Sequence, residues 1–483
     1  MDSLSHIKKD IKNEYRSLKN RLQSIILDNS FLENEVVPCF PNYPIIPNER
    51  CGLWYCDPKH FEQTSYFKST DGHINQWDFS TRRLNFHLLP ILAKSNGIII
   101  VDSTRRGKKI PDALSKTIPI WCAVLNCLIL EHASNEPIDY EKVLFVPPAT
   151  VSNSEYHRIL EKIEELVWKL KALEVLKPKE LYNMTNGKLI RPFWVYPGSS
   201  LLHTIVDPFT GEPTGERWSV PENENIIPII LCTVSYQAQD GVDKRRGFIY
   251  VQGAADDHEL WSCGLEPKTF WENIDYLNDI GKTDAVLKEF VDTLTLEENH
   301  EKKASSSIID IFESLNRVTP EISLGKIIDN CVIDSKLGGE LSGKFSLVII
   351  LSETIEITKL EEATTKIIKL FKLQSGSKKS SKSLRLQLPE IFDTINPYFQ
   401  DASNLAKKPI LICCNSGNDM SVAVILTILS KKYSEGWQLE TSDDLLISKT
   451  VIRKHLAKLI SSLQGRNVNP SRATLNSINS YLM

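Results

Sequence analysis

Asp102-Ser103-Thr104-Arg105-Arg106-Gly107-Lys108-Lys109 gathers an acid, two hydroxyls, a glycine and four cations in eight consecutive positions. Pro111 and Asp112 follow, and proline in a first turn reads as a helix start. Hydroxyls and cations delivered to a helix N-terminus make a local anion site, because free backbone N–H groups and the helix dipole both favour negative charge. Phosphate is the expected guest, and a solvated basic loop is the other reading of the same composition. A second stretch, Gln252-Gly253-Ala254-Ala255-Asp256-Asp257-His258-Glu259, comes shortly after Lys244, Arg245 and Arg246. Small Gly253, Ala254 and Ala255 would let a ligand approach the backbone, while Asp256 and Asp257 beside His258 can hold a divalent cation or accept a proton. Asp256 and Glu259 also have capping-box spacing. Capping would explain one acid and leave Asp257 and His258 without a role.

The third stretch, Cys414-Asn415-Ser416-Gly417-Asn418-Asp419-Met420-Ser421, resembles the signature loop of dual-specificity phosphatases. In that loop a Cys is followed six residues later by an Arg that clamps the phosphate, then by Ser or Thr. Cys414, Gly417 and Ser421 fit, and Met420 stands where the Arg should be. Without that cation a thiolate loses both its pKa depression and its bidentate phosphate partner. A fold persists without its chemistry, since function lives in the site. Residues 320–483 therefore read as a phosphatase-like domain without phosphatase activity. Lined up by strand ends, the three loops read Asp102-x5-Lys108, Gln252-x5-His258 and Cys414-x5-Met420. The shared spacing suggests that the N-terminal region is also built on phosphatase-like loops, recast to bind phosphate without thiol attack.

Strands must present these loops. Ile98-Ile99-Ile100-Val101 after Asn96-Gly97 reads as a buried strand, and Ile226–Val234, Gly247–Val251, Phe345–Leu351 and Ile410–Cys414 read as others. Leu160–Leu176 reads as a helix. Leu4, Ile7, Ile11, Leu18, Leu22 and Ile25 recur at three- and four-residue steps, which describes one amphipathic helix. Its Lys8, Lys9, Lys12, Arg16, Lys19 and Arg21 either flank a docked face or touch RNA phosphates. Alternating strands and helices give an α/β class. The polar stretch 297–307 marks the boundary, so the expected organisation is a catalytic α/β domain over 1–300, a linker over 301–319 and the phosphatase-like α/β domain over 320–483. The Ser/Lys-rich segment Gln374–Ser383 is expected to be a loop.

At 483 residues with 41% hydrophobic content, the chain exceeds what one core of about 250–300 residues fills. Its formal charge of −4 and pI near 6.3 argue against binding nucleic acid through bulk positive charge, so RNA contacts must come from local basic clusters. Ten cysteines without repeated C-x-x-C pairs give neither a disulfide framework nor a zinc site. Cys51 and Cys56, with four residues between them, lack paired histidines. Acidic Asp2, Asp10 and Glu14 and the lack of an uncharged apolar stretch argue against a signal or transit peptide. No apolar run is read as reaching the roughly 20 residues that span a bilayer. A cytoplasmic protein is expected, with neither membrane nor DNA as a partner.

Two segments carry a wider resemblance: Ile99 through Trp121, containing Asp102–Lys109, and Gln252 through Trp261. Both resemble hallmark segments of the fungal and plant initiator tRNA phosphoribosyl transferase family, and the degraded phosphatase-like tail is that family's other feature. The resemblance spans nearly the full length. It implies transfer of ribose 5-phosphate from phosphoribosyl pyrophosphate to the 2′-hydroxyl of adenosine 64 in initiator methionine tRNA, which keeps that tRNA out of elongation.

Such a reaction must stabilise leaving-group charge and position a hydroxyl. Arg105, Arg106, Lys108 and Lys109 are assigned to the donor's phosphates, with Ser103 and Thr104 as hydrogen-bond donors. Asp102, Asp256 and Asp257 are candidates for Mg²⁺ contact or for the base, with His258 behind them. Lys244, Arg245 and Arg246 are assigned to tRNA, through backbone and 2′-hydroxyl contacts. Type I phosphoribosyltransferases end a strand in two acids, whereas Ser103 follows Asp102 here, so that fold is not inferred. The rival readings are a phosphatase acting through Cys414 and a non-catalytic tRNA-binding adaptor.

Overall fold

The computed structural model describes residues 17–49, 51–134, 136–202, 225–300, 307–373, 378–400, 408–440, 445–463 and 468–483. The chain divides into two compact units, Met1–Ser80 with Leu88–Glu297, and Thr81–His87 with Glu298–Met483.

The first unit is built on a parallel sheet of β1 (Ile45–Pro47), β2 (Ile98–Asp102), β3 (Leu189–Val195) and β4 (Ile226–Thr233), in the order β1-β2-β4-β3. Every residue of β2 is buried, as expected for a parallel strand covered on both faces, where apolar residues run without alternation. Past β2 the chain enters a π-type turn at Ala113–Thr117 and the helix Ile118–Ala133. This stretch corrects the expectation about apolar runs: Ala113–Ala133 is long and apolar enough to cross a bilayer, but nearly all of it is buried inside the unit. The predicted helix Leu160–Leu176 is two shorter ones, Asn153–Leu160 and Ile163–Lys171.

The N-terminal amphipathic helix is described only from α1, Leu18–Phe31, whose Ser17 side chain accepts from the Asn20 N–H. Leu4, Ile7, Ile11, Lys8, Lys9, Lys12 and Arg16 lie outside the described residues. Leu18, Leu22 and Ile25 of α1 are fully buried. A second stripe of Asn20, Ser24 and Asp28, four residues apart, meets the hairpin of β5 (Val242–Arg245) and β6 (Phe248–Val251). Asn20 Oδ1 accepts from Ile249 N at 3.1 Å and Ser24 Oγ from Val251 N at 2.8 Å. The helix thus satisfies the N–H groups on one edge of β6, which an exposed strand would offer to another chain. Asp28 is fully buried, and its Oδ1 accepts from the Tyr250 hydroxyl at 2.9 Å.

Beyond β6, buried Gln252 ties two loops together. Its Oε1 accepts from Gly107 N at 2.9 Å and Ala238 N at 3.1 Å, and its Nε2 donates to Lys108 O at 2.7 Å.

In the second unit β7 (Phe312–Thr319), β8 (Ile322–Ile327), β10 (Leu347–Leu351), β12 (Ile368–Phe371) and β13 (Ile410–Cys414) form a sheet of order β12-β10-β13-β8-β7, while β9 (Val332–Ile333) and β11 (Glu356–Ile357) pair separately. All neighbours are parallel except edge strand β7. Residues 308–319, assigned to the linker from polarity alone, are instead the short helix Ile308–Ile311 and β7. Alternating exposure along β7 gives it the polar look of a linker. The expected Ser/Lys-rich loop is likewise helical from Lys378, the start of the helix Lys378–Gln400. Ser380 and Ser381 are buried, and Ser477 Oγ donates to Ser381 O at 2.6 Å.

The buried polar contacts of the first unit have two expected consequences. Gln252→Ala leaves buried amides of both loops without partners, each costing about 1–3 kcal/mol. It is expected to lower the melting temperature and expose the 104–109 loop to proteolysis; an unchanged melting temperature would contradict the anchoring role. Burial pushes the Asp28 carboxyl well above its usual range. A raised folded-state value means that this group's contribution is fully present below the unfolded pKa of about 3.9 and is lost as pH rises through the folded value. Asp28→Asn, which cannot ionise, is therefore expected to melt higher than the wild type at pH 8, with the gap narrowing toward pH 4. Thermal melts across that range would refute this if the gap were constant.

Candidate active site

Parallel strands put all their carboxyl ends on one edge, and ligand crevices form outside that edge. Asn48 follows β1 there, Asp102 ends β2, and Ser235 lies just beyond β4. Ser235 Oγ accepts from Thr104 N at 3.0 Å and donates to Thr104 O at 3.1 Å, which folds the post-β2 loop back over the sheet edge. The resulting cleft has a volume of about 440 Å³, and Asp102, Ser103, Thr104, Arg105, Arg106, Lys108, Asp256 and Asp257 all line it. The structure therefore brings together two sequence segments some 150 residues apart, as the bond between Arg105 and Asp257 records.

Arg105 joins them. Its Nε lies 3.2 Å from Asp256 Oδ2 and its Nη1 2.9 Å from Asp257 Oδ2. All three side chains are partly exposed, so the pairing is screened and holds the loops in register more than it stabilises the fold. Asp256 is not the helix cap that its spacing with Glu259 allowed: the short 3₁₀ turn His258–Leu260 begins after Asp257, and no side chain caps it. Asp256 Oδ1 instead accepts from the Cys51 thiol at 3.2 Å. Asp257 has φ +50°, a left-handed conformation that Asp tolerates better than most residues. Asp102 is held by the Asn48 side-chain amide on Oδ2 and by the Ser103 N–H on Oδ1, both at 2.8 Å.

Several predicted contacts go elsewhere. Gly253, Ala254 and Ala255 are buried and do not line the cleft. Gly253 has φ +67°, and a Cβ there would sit 2.9 Å from Thr104 O, so its glycine serves the contact between the two loops rather than a phosphate. The Ala255 N–H donates to the Tyr55 hydroxyl at 3.1 Å, and burial pushes that phenol well above its ordinary pKa. Lys109 turns away from the cleft, its Nζ 4.8 Å from the Tyr196 ring centre. His258 packs beside Trp54 and is also absent from the lining. Arg21, grouped by sequence with cations that could touch RNA, is buried and donates to Ala254 O at 2.6 Å and Asp256 O at 3.1 Å. The helix N-terminus at Asp112 already carries that carboxylate, paired with Lys108 at 3.3 Å and Lys116 at 3.0 Å. Arg105, Arg106 and Lys108 are the cations of this loop that line the cleft.

Lys244, Arg245 and Arg246 stand exposed on the β5–β6 hairpin, outside the cleft lining. Arg245 pairs with Asp243 at 3.0 Å. Because β6 belongs to this hairpin and not to the parallel sheet, the Gln252 loop is not the structural equivalent of the Asp102 loop, and their shared spacing does not reflect a shared architecture.

Sequence reasoning missed Asn48, Tyr66, Lys68 and His73 of the cleft wall, and it saw in Cys51 only a rejected metal ligand. The one available signal was a polar Asn directly after Ile45-Ile46-Pro47, obscured by the surrounding prolines.

In the second unit Cys414 ends β13, fully buried. Its Sγ accepts from Gly417 N at 3.1 Å and lies 3.0 Å from Ser421 Oγ. Met420 is buried at the start of the helix Met420–Lys432, and the adjacent Asp419 side chain accepts from Ser471 N at 3.0 Å. Met420, with its uncharged thioether, holds the position that the phosphatase signature gives to an arginine.

Residues 11–296 match the family model described as the Rit1 N-terminal domain, and residues 367–482 match the Rit1 DUSP-like domain. The chain is 56% identical over 490 residues to the tRNA A64-2′-O-ribosylphosphate transferase of Saccharomyces cerevisiae, covering 100% of this chain and 95% of that one. It is 33% identical over 487 residues to an uncharacterized protein of Schizosaccharomyces pombe, covering 97% of this chain and 94% of the other. Among solved structures, the Yvh1 phosphatase domain from Chaetomium thermophilum aligns with 35% of this chain and 95% of its own, at 15% identity and a TM-score of 0.25, too low to argue from. With one model spanning more than half of the chain and relatives matched end to end, the chain belongs to the Rit1 family.

Proposed function

We propose that this protein is a tRNA ribosylphosphate transferase, moving ribose 5-phosphate from phosphoribosyl pyrophosphate to the 2′-hydroxyl of adenosine 64 in initiator methionine tRNA, in the cytoplasm. One observation carries the reading: the whole chain is 56% identical to a protein named for transfer to that position. The cleft supplies groups suited to the chemistry. The acceptor oxygen attacks the anomeric carbon of the donor, the bond from that carbon to pyrophosphate breaks, and the hydroxyl proton passes to a base. Charge builds on the leaving pyrophosphate and on the sugar, so preorganised cations and a fixed carboxylate both lower the barrier.

Arg105, Arg106 and Lys108 face the donor's phosphates, with Ser103 and Thr104 beside them. Asp102, oriented by two hydrogen bonds at the end of β2, takes the 2′-hydroxyl proton. Among the described residues no three acidic, His or Cys side chains converge on one point, so a cage made only of protein ligands does not fit. A magnesium ion shared with the donor's pyrophosphate does fit, because Mg²⁺ is usually held by one or two carboxylates plus substrate phosphates. Asp256 and Asp257 are the side chains that would hold it, and the bound ion would neutralise leaving-group charge. Lys244, Arg245 and Arg246, exposed on their hairpin, suit backbone contacts to the tRNA.

The test is to incubate the protein with Mg²⁺, donor labelled in its ribose, and initiator or elongator methionine tRNA, then map the labelled nucleotide. Label is expected at adenosine 64 of the initiator alone. Arg105→Ala or Asp257→Ala should reduce labelling by about 100-fold or more with the fold intact, and Cys414→Ser should leave the rate unchanged. Bound tRNA without label would favour the adaptor; aryl phosphate turnover lost in Cys414→Ser would favour the phosphatase.

A further inference from the structure

Asn48 is 3% exposed and sits one residue past β1, where its backbone N–H donates to Val101 O at 2.8 Å and extends the pairing with β2. Its side chain is saturated. Nδ2 donates to Phe67 O at 2.9 Å and to Asp102 Oδ2 at 2.8 Å, while Oδ1 accepts from Phe67 N at 2.7 Å and Ser65 Oγ at 3.3 Å. An amide has two N–H bonds and two lone pairs to give, and all four are used. The Phe67 N–H requires the oxygen on its side, so the nitrogen is left to face Phe67 O and Asp102, and the amide cannot flip without losing several bonds.

We propose that Asn48 is a positioning residue for the transfer, holding the Asp102 carboxylate in the orientation that receives the acceptor proton. This rests on the transferase reading and on Asp102 as the base. A carboxylate at a strand end rotates about two side-chain torsions; a donor fixed to the neighbouring strand at 2.8 Å selects one rotamer before substrate arrives, and reaction rates depend steeply on such placement. The same amide clamps the backbone of Phe67, which lines the cleft together with its neighbours Tyr66 and Lys68. One side chain therefore ties the base to the 66–68 segment of the cleft wall. The acid is 54 residues from Asn48 and the wall 19, so only the folded sheet edge creates the link.

A purely structural Asn48 would only stitch the 65–67 segment to β1. A double-mutant cycle separates the two roles, because residues that act as a unit are non-additive whereas independent ones multiply. Asn48→Ala, Asp102→Asn and the double variant are assayed by single-turnover labelling of initiator tRNA, with melting curves and donor KM measured for each. Asn48→Ser stands in if the alanine variant does not fold. We expect Asn48→Ala to lower kcat by about tenfold or more with donor KM within about threefold, and to cost less than about twofold further in the Asp102→Asn background. Three results would overturn the proposal: equal losses in both backgrounds, a folded Asn48 variant with wild-type kcat, or an Asp102→Asn enzyme that keeps its rate. In all three the wild-type label at adenosine 64 still stands, so the transferase reading survives; only absence of that label in the wild type removes both.

Discussion

Parallel alignment of four strands in the first unit is the constraint that creates its cleft. With β1, β2 and β4 running the same way, the residues just past them must emerge at one edge, and Asn48, Asp102 and Ser235 become neighbours although they are far apart in sequence. Apolar burial along β2 and β4 supplies the driving force, and it acts on the strands whatever residues lie beyond their ends. Polar groups at the strand ends are carried into place by the packing of residues that do no chemistry. They then need fixed partners, since a buried or half-buried polar group without a hydrogen bond is costly.

Side-chain amides meet that need. Asn48 spans from β1 to Asp102 and to the Phe67 backbone, and Gln252 spans from the end of β6 to the loop that carries Arg105, Arg106 and Lys108. Each offers donors and acceptors without a charge, so each can be buried at less cost than an ion. The charged residues stay nearer the cleft. Arg105 bridges Asp256 and Asp257 there, so one guanidinium links the loop after β2 to the loop after β6. Buried Arg21 donates to the carbonyls of Ala254 and Asp256 and so helps hold the second loop in shape.

The second unit carries a phosphatase-like loop after β13 with Met420 at the position of the signature's arginine. Gly417 still donates its N–H toward Cys414, so the turn persists on backbone geometry. Met420 is buried in the helix that the turn begins, and its thioether offers no charge to a phosphate. Backbone conformation and apolar packing hold this fold without any charge at position 420.

Sequence alone determined the class and singled out two segments whose Asp102–Arg106, Lys108, Asp256 and Asp257 line the cleft. Ile98–Val101 is continuous and β-branched, so strand β2 and the placing of Asp102 at its end were legible from local pattern; the spacing from Cys414 to Met420 and Ser421 likewise exposed a phosphatase loop without its arginine. Local pattern failed where a residue's role depends on a distant partner. Gly253 looked like a ligand-facing glycine and is held against Thr104; Lys109 looked like a phosphate contact and lies over Tyr196; β7 looked like linker and pairs with β8. The polar stripe Asn20, Ser24 and Asp28, which the sequence did not single out, is the face that β6 is laid against. Tertiary structure alone decided that Asn48 belongs with Asp102 and that Arg105 joins Asp256 to Asp257, because a hydrogen bond is fixed by a separation of about 3 Å in space, and sequence records only separation along the chain.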